Sequence, residues 1–272
     1  MPVTERQLAA FADTHLWRVP FDTSPRHMAG PGDDRRVTHV LAAAGWTPVS
    51  DPLGSEIVLS SPDHRHSLQF EPRSSTSAWW RLRAQPTDTE PGWYAEFGEL
   101  VPAEVLAAVA EALVLPQPSE PQDPLTAARD AGWDIDTRGV ADSPDRACRI
   151  ERLREADSTT AWYVRAHDPY RGPQGLRLWH AMFGARAPEH LVQAFVTALA
   201  DPAPVQRGMH ERTAHPGVTQ EPSPLSPQQV VDAHTQRIRA LRTRAHAARR
   251  RPGPRTGPAP VSSPSPLGVS RR

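Results

Sequence analysis

One module is written twice in this chain, and that duplication limits the fold more than any single residue does. The first copy reads Ala44-Gly45-Trp46, Ser61-Pro62-Asp63, Trp80-x-Leu82-Arg83-Ala84, Trp93-x-Ala95-x-Phe97-Gly98, Pro102 and Ala112-Leu113. The second reads Ala131-Gly132-Trp133, Ser143-Pro144-Asp145, Trp162-x-Val164-Arg165-Ala166, Trp179-x-Ala181-x-Phe183-Gly184, Pro188 and Ala198-Leu199. Ser to Trp spans 19 positions in both, and Trp93 to Pro116 aligns with Trp179 to Pro202 without a gap. Recurrent tryptophans, glycines and turn prolines are what a shared fold requires. They disclose no chemistry.

Two modules suit 272 residues, at roughly 150 residues per domain. A hydrophobic share of 38% beside 31 prolines is low for a fully packed chain, so part of it is expected to lack a core. All 31 basic residues are arginine, and formal net charge is zero. The charge is split, however: residues 206–272 carry a net +9 and residues 1–205 a net −9. A basic tail on an acidic body is expected to meet nucleic acid, an acidic partner or the body itself.

A single cysteine, Cys148, excludes an internal disulfide framework and fits a reducing cytoplasm, the expected location. It follows the Ser143-Pro144-Asp145 turn and reads as a strand residue rather than a reactive thiol. The start of the chain, with Glu5 and Asp13 and no apolar run, does not read as a signal peptide, and no window approaches the ~20 apolar residues of a membrane span.

Thr4 and Gln7 predict a capping box ahead of a short helix, followed by an extended segment around Leu16–Pro20, so that residues 1–34 form an N-terminal appendage. The first module is expected over 35–115 and the second over 123–201, joined by the stiff Pro116–Pro121 spacer. Asp34 and Asp123 are the expected N-caps, with Pro124 first in its helix, and Gly45 and Gly132 the left-handed terminators. Period-two alternation through Ile57/Leu59, Leu68/Phe70, Trp80/Leu82/Ala84 and Trp93/Ala95/Phe97 predicts strands with one buried face. Val105, Leu106, Val109, Ala112 and Leu113, matched by Leu191, Val192, Phe195, Ala198 and Leu199, predict a helix after them. Each unit thus reads as helix, four- or five-stranded antiparallel sheet, helix, an α+β arrangement. Fourteen residues separate Trp46 from Ser61 but nine separate Trp133 from Ser143, so the second copy is expected to lose most of one strand or hairpin, and it carries an insertion at Pro169–Gly175. Residues 203–272 form a largely disordered basic tail containing one amphipathic helix near 227–250, capped by Ser226 and Gln229.

The combination of Ala-Gly-Trp opening, Ser-Pro-Asp turn, Trp-x-(Leu/Val)-Arg-Ala strand and Phe-Gly-x-x-x-Pro helix entry resembles the actinobacterial SPDY domain family, domain of unknown function 317. The segment His15-Leu16-Trp17-Arg18-Val19-Pro20 also looks like the region preceding the first such domain in two-copy members. His64 and Arg146 stand where the family's name has tyrosine. The resemblance implies the duplicated architecture and no activity, cofactor or catalytic residue.

Ser61, Asp63 and His64 are contiguous, whereas a triad assembles its members across a pocket, so the turn reading is preferred to catalysis. His64 and His66 share a strand side without a third ligand, and Gly30-Pro31-Gly32 lacks the lysine and preceding strand of a phosphate loop, so no metal or cofactor is expected. Trp46, Trp80, Trp93, Trp133, Trp162 and Trp179 recur on the apolar phase and are expected in the core. The opposite phase carries Trp79, Arg81, Arg83 and Tyr94 in one copy and Tyr163, Arg165 and His167 in the other, aromatics beside arginines as on a single-strand nucleic-acid surface. In the tail, Arg237, Arg239, Arg242, Arg244, Arg249, Arg250 and Arg251 could contact a phosphate backbone or fold back on the acidic body. The resulting expectation is a non-enzymatic interaction protein with a protein partner and no membrane contact, the alternative being a nucleic-acid-associated accessory protein.

Overall fold

The computed structural model describes residues 3–51, 54–118, 120, 122–154 and 159–250. Helix α1 (Glu5–His15) opens on the expected capping box, Gln7 N donating to Thr4 Oγ1 at 3.2 Å and Thr4 N to Gln7 Oε1 at 2.9 Å. Strand β1 (Pro20–Ser24) and a 3-10 turn (Arg26–Met28) follow. The first module is α2 (Arg35–Ala43), β2 (Thr47–Pro48), β3 (Ile57–Ser60), β4 (His66–Phe70), β5 (Ala78–Ala84), β6 (Trp93–Gly98) and α3 (Ala103–Val114). The second repeats that order: α4 (Thr126–Asp130), β7 (Asp134–Ile135), β8 (Ala141–Asp142), β9 (Cys148–Arg154), β10 (Thr160–His167), β11 (Arg177–Phe183) and α5 (Glu189–Ala200). Then come β12 (Val205–Gly208), β13 (Thr219–Pro222) and α6 (Pro227–Arg250).

Local signals explain most of these boundaries. Gly45 (φ 86°) and Gly132 (φ 80°) end α2 and α4 in the left-handed region, with Trp46 N donating to Leu41 O at 3.1 Å and Trp133 N to Ala128 O at 3.0 Å. The starts differ from expectation. Asp34 makes no side-chain cap bond; Asp33, one residue earlier, accepts from Arg35 N at 2.9 Å because its carboxylate is also fixed by His15 and the Arg35 guanidinium. Asp123 accepts from Leu125 N at 3.1 Å within a turn, so α4 begins at Thr126 rather than Pro124. The shorter Trp133-to-Ser143 connection removes residues from a strand without removing the strand: β8 has two residues where β3 has four.

The two modules share one ten-stranded antiparallel sheet in the order β2-β3-β4-β5-β6-β11-β10-β9-β8-β7. At the join, Ala95 faces Phe183, Glu96 faces Met182 and Phe97 faces Ala181. Glu96 and Met182 occupy the same repeat position, so a local two-fold axis passes between them, as in a symmetric dimer interface. Helix α3 packs on α5 across that axis, with α2 beside α3 and α4 beside α5, and these four helices cover one face of the sheet. The six recurrent tryptophans are all buried in this core, as expected, and Phe97, Phe183 and Phe195 interlock at its centre with ring centroids 5.4–5.8 Å apart.

The C-terminal region departs from a loose tail along residues 205–250. Strands β12 and β13 flank β1 in a second, three-stranded sheet, Pro20 facing Gly208 and Phe21 facing Pro222. Its ordering has a physical cause in Arg207, whose buried guanidinium donates to Ala29 O and Gly30 O and grips Glu104 of α3 with both Nη atoms, at 2.8 and 2.9 Å. Helix α6 has the expected Ser226–Gln229 box and lays Val230, Val231, His234, Ile238, Leu241 and Ala245 against α1 and α2. The disorder expected from 251 onward, and Arg251 itself, lie outside the described residues. Among the described residues no helix is long and apolar enough to cross a membrane.

Candidate interaction surfaces

The face of the large sheet opposite the helices carries most of the outward residues expected from the alternation. Register places two of them, Arg81 and Tyr163, in one row across the join: Arg81 faces Glu96, Glu96 faces Met182, Met182 faces Tyr163 and Tyr163 faces Glu151. The row is charge-balanced. Arg81 donates to Glu71 at 3.0 Å and Thr76 at 2.6 Å, and Arg165 and Arg149 both reach Glu151, at 3.3 and 2.7 Å. Arginines already bound to carboxylates have little left for phosphate. Arg83 is exposed, Tyr94 leans over Gly184, whose added Cβ would stand 2.8 Å from its ring, and Trp79 is half-buried beside Phe70 at 6.4 Å. Tyr163 accepts a hydrogen bond from Arg177 at 3.1 Å.

His167 does not belong to this surface. A bulge between Ala166 and His167 shifts the register, and its ring is turned inward, 2% exposed with both nitrogens unpartnered. Burial lowers its pKa. Alternation alone assigned it outward because a bulge leaves no mark on a two-residue period.

The Ser-Pro-Asp segments are turns. Ser61 Oγ donates to Asp63 at 2.5 Å while accepting from His66 N at 2.8 Å, and Asp63 accepts from Arg65 N at 3.1 Å. Ser143 and Asp145 repeat this set with Cys148 N and Ala147 N. The following His64 (φ 57°) and Arg146 (φ 56°) take the left-handed conformation that closes the turn. The second copy adds one bond: Asp145 accepts from His27 Nε2 at 2.8 Å, and Trp179 Nε1 donates to His27 O at 2.8 Å. Burial would raise the Asp145 carboxyl, but His27 and Ser143 together bring it down to about 2. His27 lies 6.4 Å from Trp133, a site that His66 fills from within the first copy, 6.5 Å from Trp46 and 5.8 Å from Trp93. The small Cys148, equivalent to His66, leaves room for the N-terminal segment to dock. Cys148 is buried, and burial pushes its thiol well above the ordinary range.

On α6, Arg237 is tied to Glu111 at 2.5 Å and Arg249 to Ala44 O, so both act inside the molecule. Arg239, Arg242, Arg244 and Arg250 are exposed. Arg244 and Arg26 border an open groove of about 720 Å³ floored by Ala108, Ala194 and Ala198; Arg26 is committed to Ala198 O and Asp201 at 2.6 and 2.8 Å.

A surface not expected from the sequence lies at the end of the small sheet. Trp17 is 90% exposed, with Val19 at 56% and Met209 at 53%, the residues flanking the Pro20–Gly208 pair. A cleft of about 380 Å³ opens between them over the Arg18–Glu211 ion pair. One signal could have revealed it: of eight tryptophans only Trp17 and Trp79 lack a counterpart in the other copy, and hence a core slot inherited from the shared fold.

A family model described as SPDY, domain of unknown function (DUF317), matches residues 60–119 and 142–205, which run in each copy from the Ser-Pro-Asp turn through the three long strands and the following helix. No curated protein and no solved structure matches the chain.

Proposed function

Two tandem segments of this chain match the SPDY family, and from that premise we propose that the protein is a non-enzymatic interaction protein whose double module is a rigid base for a partner-binding edge. The carrying observation is the exposed Trp17, with Val19 and Met209 beside it. Tryptophan is the residue type most enriched at binding hot spots, and a Trp held on ordered backbone adds contact area with little entropy to lose. Serine and aspartate of the Ser-Pro-Asp turns support the non-catalytic reading, since backbone amides and each other already occupy them. The test is comparative capture of binding proteins by the full chain and by Trp17→Ala. The reading predicts that a partner held by the first is lost by the second at unchanged melting temperature; equal capture by both contradicts it.

A second reading, nucleic-acid contact through α6, is favoured by one observation. Arg239, Arg242, His246 and Arg250 are exposed at helical spacing, and α6 carries no acidic residue after Asp232. Its mark would be a salt-dependent affinity whose slope falls by roughly one unit per phosphate-contacting arginine replaced by glutamine. A slope unmoved by Arg239→Gln with Arg242→Gln contradicts it.

A further inference from the structure

The groove bordered by Arg26 and Arg244 lies where the repeat meets the parts of the chain outside it. Its floor is the outer surface of α3 and α5, and the alanines there are copied: Ala108 and Ala194 hold one repeat position, Ala112 and Ala198 another. Two helices packed across a local two-fold axis with only methyl groups on their outer faces leave a trough between them. The walls are not repeated. Arg26 belongs to the N-terminal segment, Pro116 and Pro118 to the spacer, Val205 to β12, and Arg237 and Arg244 to α6. Neither module alone makes this groove, and its volume of about 720 Å³ falls within the range of about 300–1,000 Å³ typical of small-molecule sites.

Charge and shape together define a class of ligand. Residues 1–205 are net acidic, yet the guanidinium groups of Arg26, Arg36, Arg207, Arg237 and Arg244 stand in or beside the groove against only the carboxylates of Glu104, Glu111 and Asp201. Arg36 and Arg207 share Glu104, Arg26 pairs with Asp201, and Arg237 pairs with Glu111. Arg244 has no carboxylate partner among the described residues, so the surplus positive charge includes an exposed side chain free to move. Arg237 and Arg244 are seven residues apart and share one face of α6, opposite to Arg239, Arg242 and Arg250. Arg26 lines the groove with a side chain only 10% exposed, and its Nε has no partner. A buried donor without an acceptor costs stability, and an anion in the groove supplies one. No Phe, Tyr or Trp lines the groove, so a planar ring has no aromatic to stack on, whereas an aliphatic chain meets methyl and prolyl groups along the floor.

We propose that the groove between α3, α5 and α6 binds a single aliphatic chain ending in an anionic head group, of the fatty-acid class, with the head group against Arg244 and the chain on the alanine floor. A guanidinium fork suits a carboxylate of this kind. The site shares no lining residue with the cleft at Trp17, so it stands or falls independently of partner capture there.

Titration calorimetry of the full chain with octanoate, decanoate and decanol, each below its micelle-forming or solubility limit, reads the site. The proposal expects one decanoate per chain and an affinity roughly two- to fourfold higher for each added methylene, because complete burial of a CH₂ corresponds to about fourfold. Neutral decanol should bind about tenfold more weakly. Arg244→Gln should weaken decanoate about tenfold and leave decanol unchanged. Arg138→Gln, which removes an exposed charge from the turn between β7 and β8, should change neither. Ala194→Phe fills the floor and should abolish binding; Thr197→Trp, at an exposed lining position, imposes the same block should the first variant fail to fold. Many anions bound per chain, equal affinity for decanoate and decanol, or binding that survives both groove-filling changes overturns the proposal. Failure of both acids to bind also overturns it, including the case in which phosphatidylglycerol vesicles capture the chain and free acids do not, which assigns the positive charge to a lipid surface.

Discussion

Arg207 of β12 and Glu104 of α3 form a two-point ion pair, at 2.8 and 2.9 Å, that fixes the C-terminal region to the first module across 103 positions of sequence. Burial would raise the Glu104 carboxyl, but Arg207 and Arg36 outweigh it and hold the group at about 2. Arg207 also bonds Ala29 O and Gly30 O, so one side chain joins β12, the N-terminal segment and the double module. Arg207 itself faces Phe21 of β1, next to the Pro20–Gly208 pair at the Trp17 edge.

Arg207→Leu, which leaves Glu104 beside Arg36 but without its two-point partner, is expected to destabilise the protein by about 3–5 kcal/mol, the range for breaking a buried pair. Combining it with Glu104→Leu should recover part of that loss. Urea unfolding of the three proteins provides the comparison; a double variant worse than the sum of the singles would contradict the pairing.

The Ser-Pro-Asp turns are alike in the sequence but not in load. Asp145 holds His27 in addition to the turn, and Asp63 holds the turn alone. Asp145→Asn should therefore cost about 1.5–3 kcal/mol more than Asp63→Asn, the range for a hydrogen bond to a charged group. Equal losses in thermal unfolding would mean that the His27 contact contributes nothing.

Acid should loosen α6 before it affects the carboxylates. His39 Nδ1 and His234 Nε2 lie 3.0 Å apart between α2 and α6, with Phe11 stacked on His234 and Arg35, Arg36, Arg237, His15 and Asp33 around them. Burial lowers His39 to about 4, against the pull of Asp33, and burial with Arg36, His39 and Arg237 lowers His234 to about 3, from an ordinary 6.5. The unfolded chain thus binds protons first, so the stability these neutral rings contribute is whole above pH 6.5 and lost as pH falls from there toward about 4 for His39 and about 3 for His234. Asp145, lowered from 3.8 to about 2, gives way only below pH 3.8. Stability measured between pH 7 and 5 should decline in the native chain and decline less in His234→Phe; parallel curves would contradict this assignment.

Much of the architecture was legible because buried positions were copied. The six recurrent tryptophans, the Ser-Pro-Asp turns and the glycine caps each carry a local reason for their conformation. Which strand edges meet was not legible: Trp93-x-Ala95-x-Phe97 specifies a strand with one buried face, and says nothing of Phe183 as its neighbour. Strands β12 and β13 were hidden because four residues among Pro and Gly have no period, and order there comes from Arg207 and from pairing with β1. Arg81 and Tyr163 have a readable phase on their strands, whereas Trp17 lies outside the repeat and has no period that marks it as exposed.

The most direct test of the Trp17 edge is to compare Trp17→Ala with the double replacement Arg81→Ala, Arg83→Ala in quantitative capture of the same partner, each checked for an unchanged melting temperature. The account predicts at least a tenfold loss of affinity, about 1.4 kcal/mol, for Trp17→Ala and almost none for the sheet-face pair. Retained binding by Trp17→Ala together with loss in the Arg81/Arg83 variant would place the interaction on the open sheet and contradict it.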